Sequence, residues 1–159
     1  MSTAPRGSIL FRYIPGTGRV ALPCCPSPVP TLPSGYLTVS GSTGLSTTFA
    51  SIGTGTTITL SVASRVMVNL AAEVENTDSS SEHTVSMYVT VDSDTSNTTN
   101  NSIVRAKNGS TPSQGALAIV HRTGVLQPGT YTMRVYAKAD ANSQMNITHL
   151  DAGLIGHLT

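Results

Sequence analysis

Charged residues are scarce in this sequence. Asp, Glu, Lys and Arg make up 11% of its 159 residues, whereas about 25% is typical of globular proteins. Nine basic side chains are balanced by eight acidic ones and are spread over the whole length. Nucleic-acid binding needs basic side chains concentrated in one region, where they replace the counterions of the phosphates. The composition therefore argues against a nucleic-acid partner.

Cysteine and aromatic residues are scarce as well. The only two cysteines, Cys24 and Cys25, are adjacent, and a disulfide between sequence neighbours is strained and closes no useful loop. We interpret the pair as two small, partly buried residues or as a contact with a neighbouring chain; soft-metal binding or thiol reactivity is the alternative. Trp is absent and aromatic residues reach only 4%, which disfavours carbohydrate binding.

Long apolar runs are missing too. The sequence does not begin with a charged region followed by an apolar core, as a secretory signal does, so we expect no such signal. No apolar run approaches the roughly 18 residues of a membrane span. We therefore expect a protein made in the cytoplasm, with no membrane partner.

What the sequence does contain divides near residue 35. Residues 1–35 hold seven of the nine prolines, and the run over 23–33 is incompatible with a helix or a central strand. We predict an extended, Pro-rich N-terminal arm over 1–35 and one domain over 36–159. The apolar residues of the arm are expected to contact a partner, and they are Ile9, Leu10, Phe11, Tyr13, Ile14, Val20 and Leu22.

Residues 36–159 alternate between apolar and polar side chains, and Ser (20) and Thr (23) supply most of the polarity of the chain. The clearest alternation predicts strands over 65–75, 83–91 and 129–139. Leu126 is expected to close the end of the domain. Further strands are predicted over 36–40, 45–52, 56–62, 101–107, 115–122 and 145–155. The fold class is therefore all-β, a single β-sandwich or jelly roll of about eight to nine antiparallel strands.

Two groups of residues could suggest a metal site. The histidines, at 83, 121, 149 and 157, share no spacing typical of metal ligands. We interpret them as ordinary surface or interface groups; the alternative is that the first three cluster around the axis of a symmetric oligomer. Residues 92–96 begin like a calcium loop, but Asn97 and Ile103 stand where Gly and Glu are required. We predict a solvated loop and no metal.

Catalytic motifs are not evident. There is no Gly-x-Ser-x-Gly elbow, and the eight acids form no apparent catalytic pair. We predict that the protein is not an enzyme and binds no cofactor. Four Asn-x-Ser/Thr sequences, at Asn97, Asn100, Asn108 and Asn146, are interpreted as a result of composition and not as glycosylation sites.

Three segments carry a resemblance to a known group of proteins, and they lie at 45–52, 65–76 and 126–137. With them, the chain from about Gly44 onward resembles the jelly-roll proteins of tailed-phage virions, which include capsid decoration proteins, head fibres and tail-fibre modules. The resemblance implies homotrimers around a three-fold axis, without cofactor or catalysis.

The resemblance and the arm together suggest a function. We predict a capsid decoration or cement protein of a bacteriophage, located in the virion, that stabilises the head as an oligomer. Its arm would contact the major capsid protein, another virion protein or a neighbouring subunit. The alternative is a tail-fibre or receptor-binding module whose loops at 76–82 and 92–100 meet the host surface. A secreted bacterial adhesin is a third hypothesis, but it needs an export signal, which the sequence does not show.

Overall fold

A computed structural model describes residues 10–14, 18–22, 32–95, 100–104, 111–142 and 144–158. The side chains are described for 32–94, 111–142 and 144–157. The chain divides into two compact units, Met1–Thr31 and Leu32–Thr159. Within the described ranges no helix is long and apolar enough to cross a membrane.

The first unit contains a β-hairpin. Strand β1 (Leu10–Ile14) pairs antiparallel with β2 (Gly18–Leu22), and the register runs from Leu10 opposite Leu22 to Ile14 opposite Gly18. Of the predicted partner-binding residues, six lie on these two strands and Ile9 lies outside the described residues. The contact with a partner remains a prediction, as does the boundary at residue 35.

The second unit contains nine strands among its described residues. They are β3 (Ser34–Gly44), β4 (Ala50–Leu60), β5 (Ser64–Asn76), β6 (His83–Val91), β7 (Asp94–Thr95), β8 (Asn100–Val104), β9 (Ser113–Arg122), β10 (Gly129–Ala139) and β11 (Met145–Leu158).

These strands form two antiparallel sheets. One sheet has the order β3-β11-β5-β9, and the other has β4-β10-β6 with β7 and β8 both paired to β6. The chain passes back and forth between the sheets, as expected of a β-sandwich and consistent with a jelly roll. The all-β prediction is confirmed at this level. Only seven strands have nine or more residues, fewer than the eight to nine expected, because β7 and β8 are short.

One prediction about the strands is wrong. We expected two strands, at 45–52 and 56–62, on either side of a tight turn, but β4 runs without interruption over Ala50–Leu60. Gly53 and Gly55 have φ angles of 72° and 80°. These left-handed residues do not reverse the chain. They accompany a shift in register between β4 and β10, near Met133 and Val135, as in a β-bulge.

The core between the sheets is aliphatic. Each long strand turns alternate side chains inward, as Val66, Val68 and Leu70 show on β5. The buried hydrophobic residues of the described region are all Ala, Val, Leu, Ile or Met. Leu126 is half-buried and packs against this core. Consequently, the described aromatic side chains lie wholly or partly at the surface.

Candidate functional site

The predicted histidine positions do not come together around one site. His83 lies between Asp78 and Asp140, His121 binds Asp94, and His149 binds Asp151. These three imidazoles are thus paired with different carboxylates. Among the described residues, no group of three or more His, Cys, Asp or Glu is arranged to hold a metal ion.

His83 is held by carboxylates on both ring nitrogens. Nε2 lies 3.0 Å from Oδ2 of Asp78, and Nδ1 lies 2.9 Å from Oδ1 of Asp140. The hydrogen bond with Asp78 raises the pKa of His83. The pKa of Asp78 falls to about 2, chiefly because the Ser80 hydroxyl donates to it. When the ring is protonated, each N–H group meets a carboxylate, and we call His83, Asp78 and Asp140 the clamp.

Asp92 and Asp94 use their carboxylates inside the protein. Oδ1 of Asp92 accepts from the backbone N–H of Thr132 at 2.8 Å. Asp94 accepts from the backbone N–H of Gly124 through Oδ2, and its Oδ1 lies 3.0 Å from Nε2 of the buried His121. We predicted a solvated loop here, but these two carboxylates join β-strands and connections that are distant in sequence.

The outer face of the β3-β11-β5-β9 sheet exposes large apolar side chains. We call it the four-stranded face. Val120 is 73% exposed, Tyr36 62%, Ile155 47% and Met67 37%. Val120 lies on β9, Tyr36 on β3, Ile155 on β11 and Met67 on β5. Contiguous exposed apolar surface on a folded domain usually marks an interaction site.

Beside these side chains lies a shallow hollow. Its volume is about 490 Å³. Ala71, Ala116 and Ala118 contribute small side chains to it, and Glu73, His149 and Asp151 are the polar residues of its lining. The register explains the arrangement, because Ala71 lies between Asp151 and Ala118, and Glu73 lies between His149 and Ala116. Three strands therefore build the hollow from residues that are far apart in sequence.

Asp151 gives the hollow negative charge. Its Oδ2 lies 3.0 Å from Nε2 of His149, whereas the buried Oδ1 has no hydrogen-bond partner. The Tyr36 hydroxyl, followed by His149 and then Thr38, lowers the pKa of Asp151. Tyr36 and Thr38 act on the carboxylate as nearby dipoles, since Oδ1 has no hydrogen-bond partner. Asp151 is therefore ionised at neutral pH.

The other sheet carries an aromatic cluster that we had not identified as a site. Tyr88 and Tyr136 stack with ring centroids 4.9 Å apart, and Phe49 meets Tyr88 edge-on at 4.8 Å. Nζ of Lys138 lies 4.9 Å from the centroid of Phe49. The alternation in the sequence placed both tyrosines on the polar face of their strands, but only the pairing of β6 with β10 puts them directly opposite each other.

The loop at 76–82, proposed above for host contact, is fixed by its own hydrogen bonds. Nδ2 of the buried Asn76 donates to the Ser81 carbonyl, and Oδ1 of Asn76 accepts from the Asp78 backbone. Of the four Asn-x-Ser/Thr sites, Asn146 lies on β11 and donates to Oε1 of Glu75. The side chains of the other three lie outside the described residues.

No family model matches this chain, and no curated protein matches it. Among solved structures, it is similar to the Eiger TNF from S. frugiperda with a TM-score of 0.40 and 10% identity, over 79% of this chain and 92% of that one. The comparisons thus identify neither a family nor a function for this chain.

Proposed function

We propose that this protein is a structural component that assembles through its four-stranded face and, within that class, a capsid decoration or cement protein of a phage virion. The observation that carries the proposal is the exposure of Tyr36, Met67, Val120 and Ile155 on one sheet face. Such side chains gain roughly 1.5 to 3 kcal/mol each when they are fully buried. Burial of these side chains would therefore contribute to association of this face.

The two units of the chain suit separate tasks. The buried hydrophobic core consists of residues from Leu37 onward, so the sandwich has its own source of stability. Residues 1–31 form a second unit with its own hairpin. In the proposed function the sandwich self-associates, and the arm contacts the shell or an adjacent subunit. The protein would be made in the host cytoplasm and reside in the virion.

Self-association is tested by a charge on the four-stranded face. Val120→Asp should shift the native mass of the full-length chain toward the monomer, because the side chain is 73% exposed in the single chain and buried in the proposed assembly. Thr57→Asp is the matched control, since Thr57 is exposed on β4 in the other sheet. A wild-type chain that is monomeric at micromolar concentration contradicts the proposal.

The role of the arm is tested with particles that lack this protein. A chain without residues 1–30 should remain folded and oligomeric but should no longer bind the particles. Undiminished binding would rule out the arm as the attachment. The copy number per particle then separates the virion roles, because hundreds of copies indicate a shell protein and a handful indicate a fibre.

A second candidate function is a tail-fibre or receptor-binding module. It is favoured by the aromatic cluster of Phe49, Tyr88 and Tyr136, since aromatic residues are enriched at the centres of binding sites. In that case Tyr136→Ser should reduce adsorption of the phage to its host and leave the native mass unchanged. Unchanged adsorption argues against this candidate.

A further inference from the structure

The four-stranded face is polarised along its strands. One half carries the large apolar residues Tyr36, Met67, Val120 and Ile155 together with Arg122. The other half carries the small residues around the hollow together with Glu73. We call them the apolar-basic half and the alanine-acidic half.

The register places each half in defined rows across the sheet. In the apolar-basic half, Ile155, Met67 and Arg122 form one row, and Gly153, Asn69 and Val120 form the next. In the alanine-acidic half, the rows are Asp151, Ala71 and Ala118, followed by His149, Glu73 and Ala116. Successive rows are two residues apart along each strand, or about 6.8 Å.

Building on the proposed self-association, we infer that two copies of this chain pair through their four-stranded faces with the strands antiparallel. The two-fold axis lies in the interface, across the strands, between the row of Val120 and the row of Ala118. The apolar-basic half of each copy then covers the alanine-acidic half of the other. A two-fold interface of this kind uses the same patch on both subunits.

The two halves are complementary in shape. Across the axis, Val120 on β9 meets Ala118 on the partner's β9, so a side chain that is 73% exposed in the single chain is received at the alanine hollow. Gly153 meets the row of Asp151 from the partner. A Cβ at Gly153 would contact no atom within 4 Å, which leaves space there for the opposing carboxylate.

The two halves are also complementary in charge. In the antiparallel arrangement the row of Arg122 lies over the row of Glu73 from the partner, and one row further out Arg65 lies over Glu75. Within one chain these charges do not meet, because Arg122 is opposite Met67 and six residues of β5, or about 20 Å, separate Met67 from Glu73. Their attraction is therefore available only between copies.

Parallel arrangements lack this advantage. When neighbouring copies keep their strands parallel, as in a three-fold ring whose axis runs along the strands, each row keeps its height along the axis, so Glu73 and Asp151 of one copy lie level with the same residues of the next and not with Arg122. Like charges placed opposite each other across an interface are unfavourable. The charge pattern thus favours a dimer over the trimer that the resemblance implies.

Charge reversal tests this pairing in the full-length chain. Arg122→Glu and Glu73→Arg should each weaken self-association by about tenfold or more, measured by sedimentation equilibrium and native mass spectrometry. The double variant should return to within about threefold of wild type, because it exchanges the partners and restores opposite charges. Arg134→Glu is the matched control, since Arg134 is exposed on the other sheet, and it should have no effect.

The outcomes separate this inference from the proposed function. A dimeric mass with impaired single variants and a restored double variant supports antiparallel pairing. A trimeric mass, or single variants that associate like wild type, overturns the antiparallel pairing but not self-association. In a parallel arrangement each charge lies level with the same residue of the neighbouring copy, so reversing it leaves two like charges near each other, as before. A monomeric full-length chain overturns both, including the case in which its own N-terminal unit covers the face.

Discussion

Nδ1 of His83 lies 2.9 Å from Oδ1 of Asp140, which joins the start of β6 to the connection between β10 and β11. The other oxygen of Asp140 accepts from the backbone N–H of Thr84 at 2.8 Å. On the opposite side of the ring, Asp78 brings in the connection between β5 and β6. One imidazolium therefore fastens two loops at one end of the sandwich.

This clamp predicts a pH dependence of stability. The pKa of His83 is raised in the folded chain, so its contribution is complete below about pH 6.5, the ordinary value, and is lost as the pH rises through the folded pKa. The pKa of Asp78 is lowered to about 2. Its contribution is present above the ordinary value of about 3.9 and is lost as the pH falls through the folded pKa. The clamp is therefore complete between about pH 4 and 6.5.

The measurement is the free energy of unfolding by urea across this range. His83→Gln should destabilise the chain more at pH 6 than at pH 9, because only the charged ring binds both carboxylates. Thr57→Gln, at an exposed position on β4, is the control. An equal effect of His83→Gln at both pH values would show that the charge of the ring does not matter.

The contacts of Asp94 predict a second effect on stability, which comes from hydrogen bonds to buried groups and not from surface charge. Its carboxylate holds the backbone N–H of Gly124 and the imidazole of His121, whose side chain is only 6% exposed. Asp94→Ala leaves a buried ring nitrogen and a backbone donor without partners, which costs about 1 to 3 kcal/mol. Ser93→Ala, at an exposed neighbour, should cost less than about 0.5 kcal/mol. Equal urea midpoints for the two variants would contradict this role.

The sequence predicted those strands whose alternation is regular. Segments 65–75, 83–91 and 129–139 correspond closely to β5, β6 and β10, because the period of two is set locally by the pleat. Alternation also placed Met67, Ala71 and Glu73 on one outer face. It did not reveal the four-stranded face, because that face depends on the lateral order of strands from distant parts of the chain.

The clamp and the bulge were beyond prediction for related reasons. His83 and Asp140 are 57 residues apart, and no local pattern indicates which carboxylate an isolated histidine will meet. The glycines at 53 and 55 are compatible with a turn as well as with a bulge. The choice depends on whether β10 is available as a partner for the whole of β4, which is a property of the assembled sheet.

Two glycines, Gly55 on β4 and Gly153 on β11, predict opposite effects on stability. Gly55 has a φ of 80°, and a Cβ there would lie 2.7 Å from the Met133 carbonyl oxygen. Gly55→Ala therefore meets both a left-handed backbone and a clash with main chain, and we expect it to destabilise the sandwich by about 2 kcal/mol or more. At Gly153 the space is open in the single chain, so in the Val120→Asp background, where the proposed interface is broken, Gly153→Ala restricts mainly the unfolded chain and should stabilise by about 0.4 to 1 kcal/mol. Thermal unfolding of the two variants side by side tests the account, and a destabilised Gly153→Ala or a tolerated Gly55→Ala would contradict the backbone geometry on which it depends.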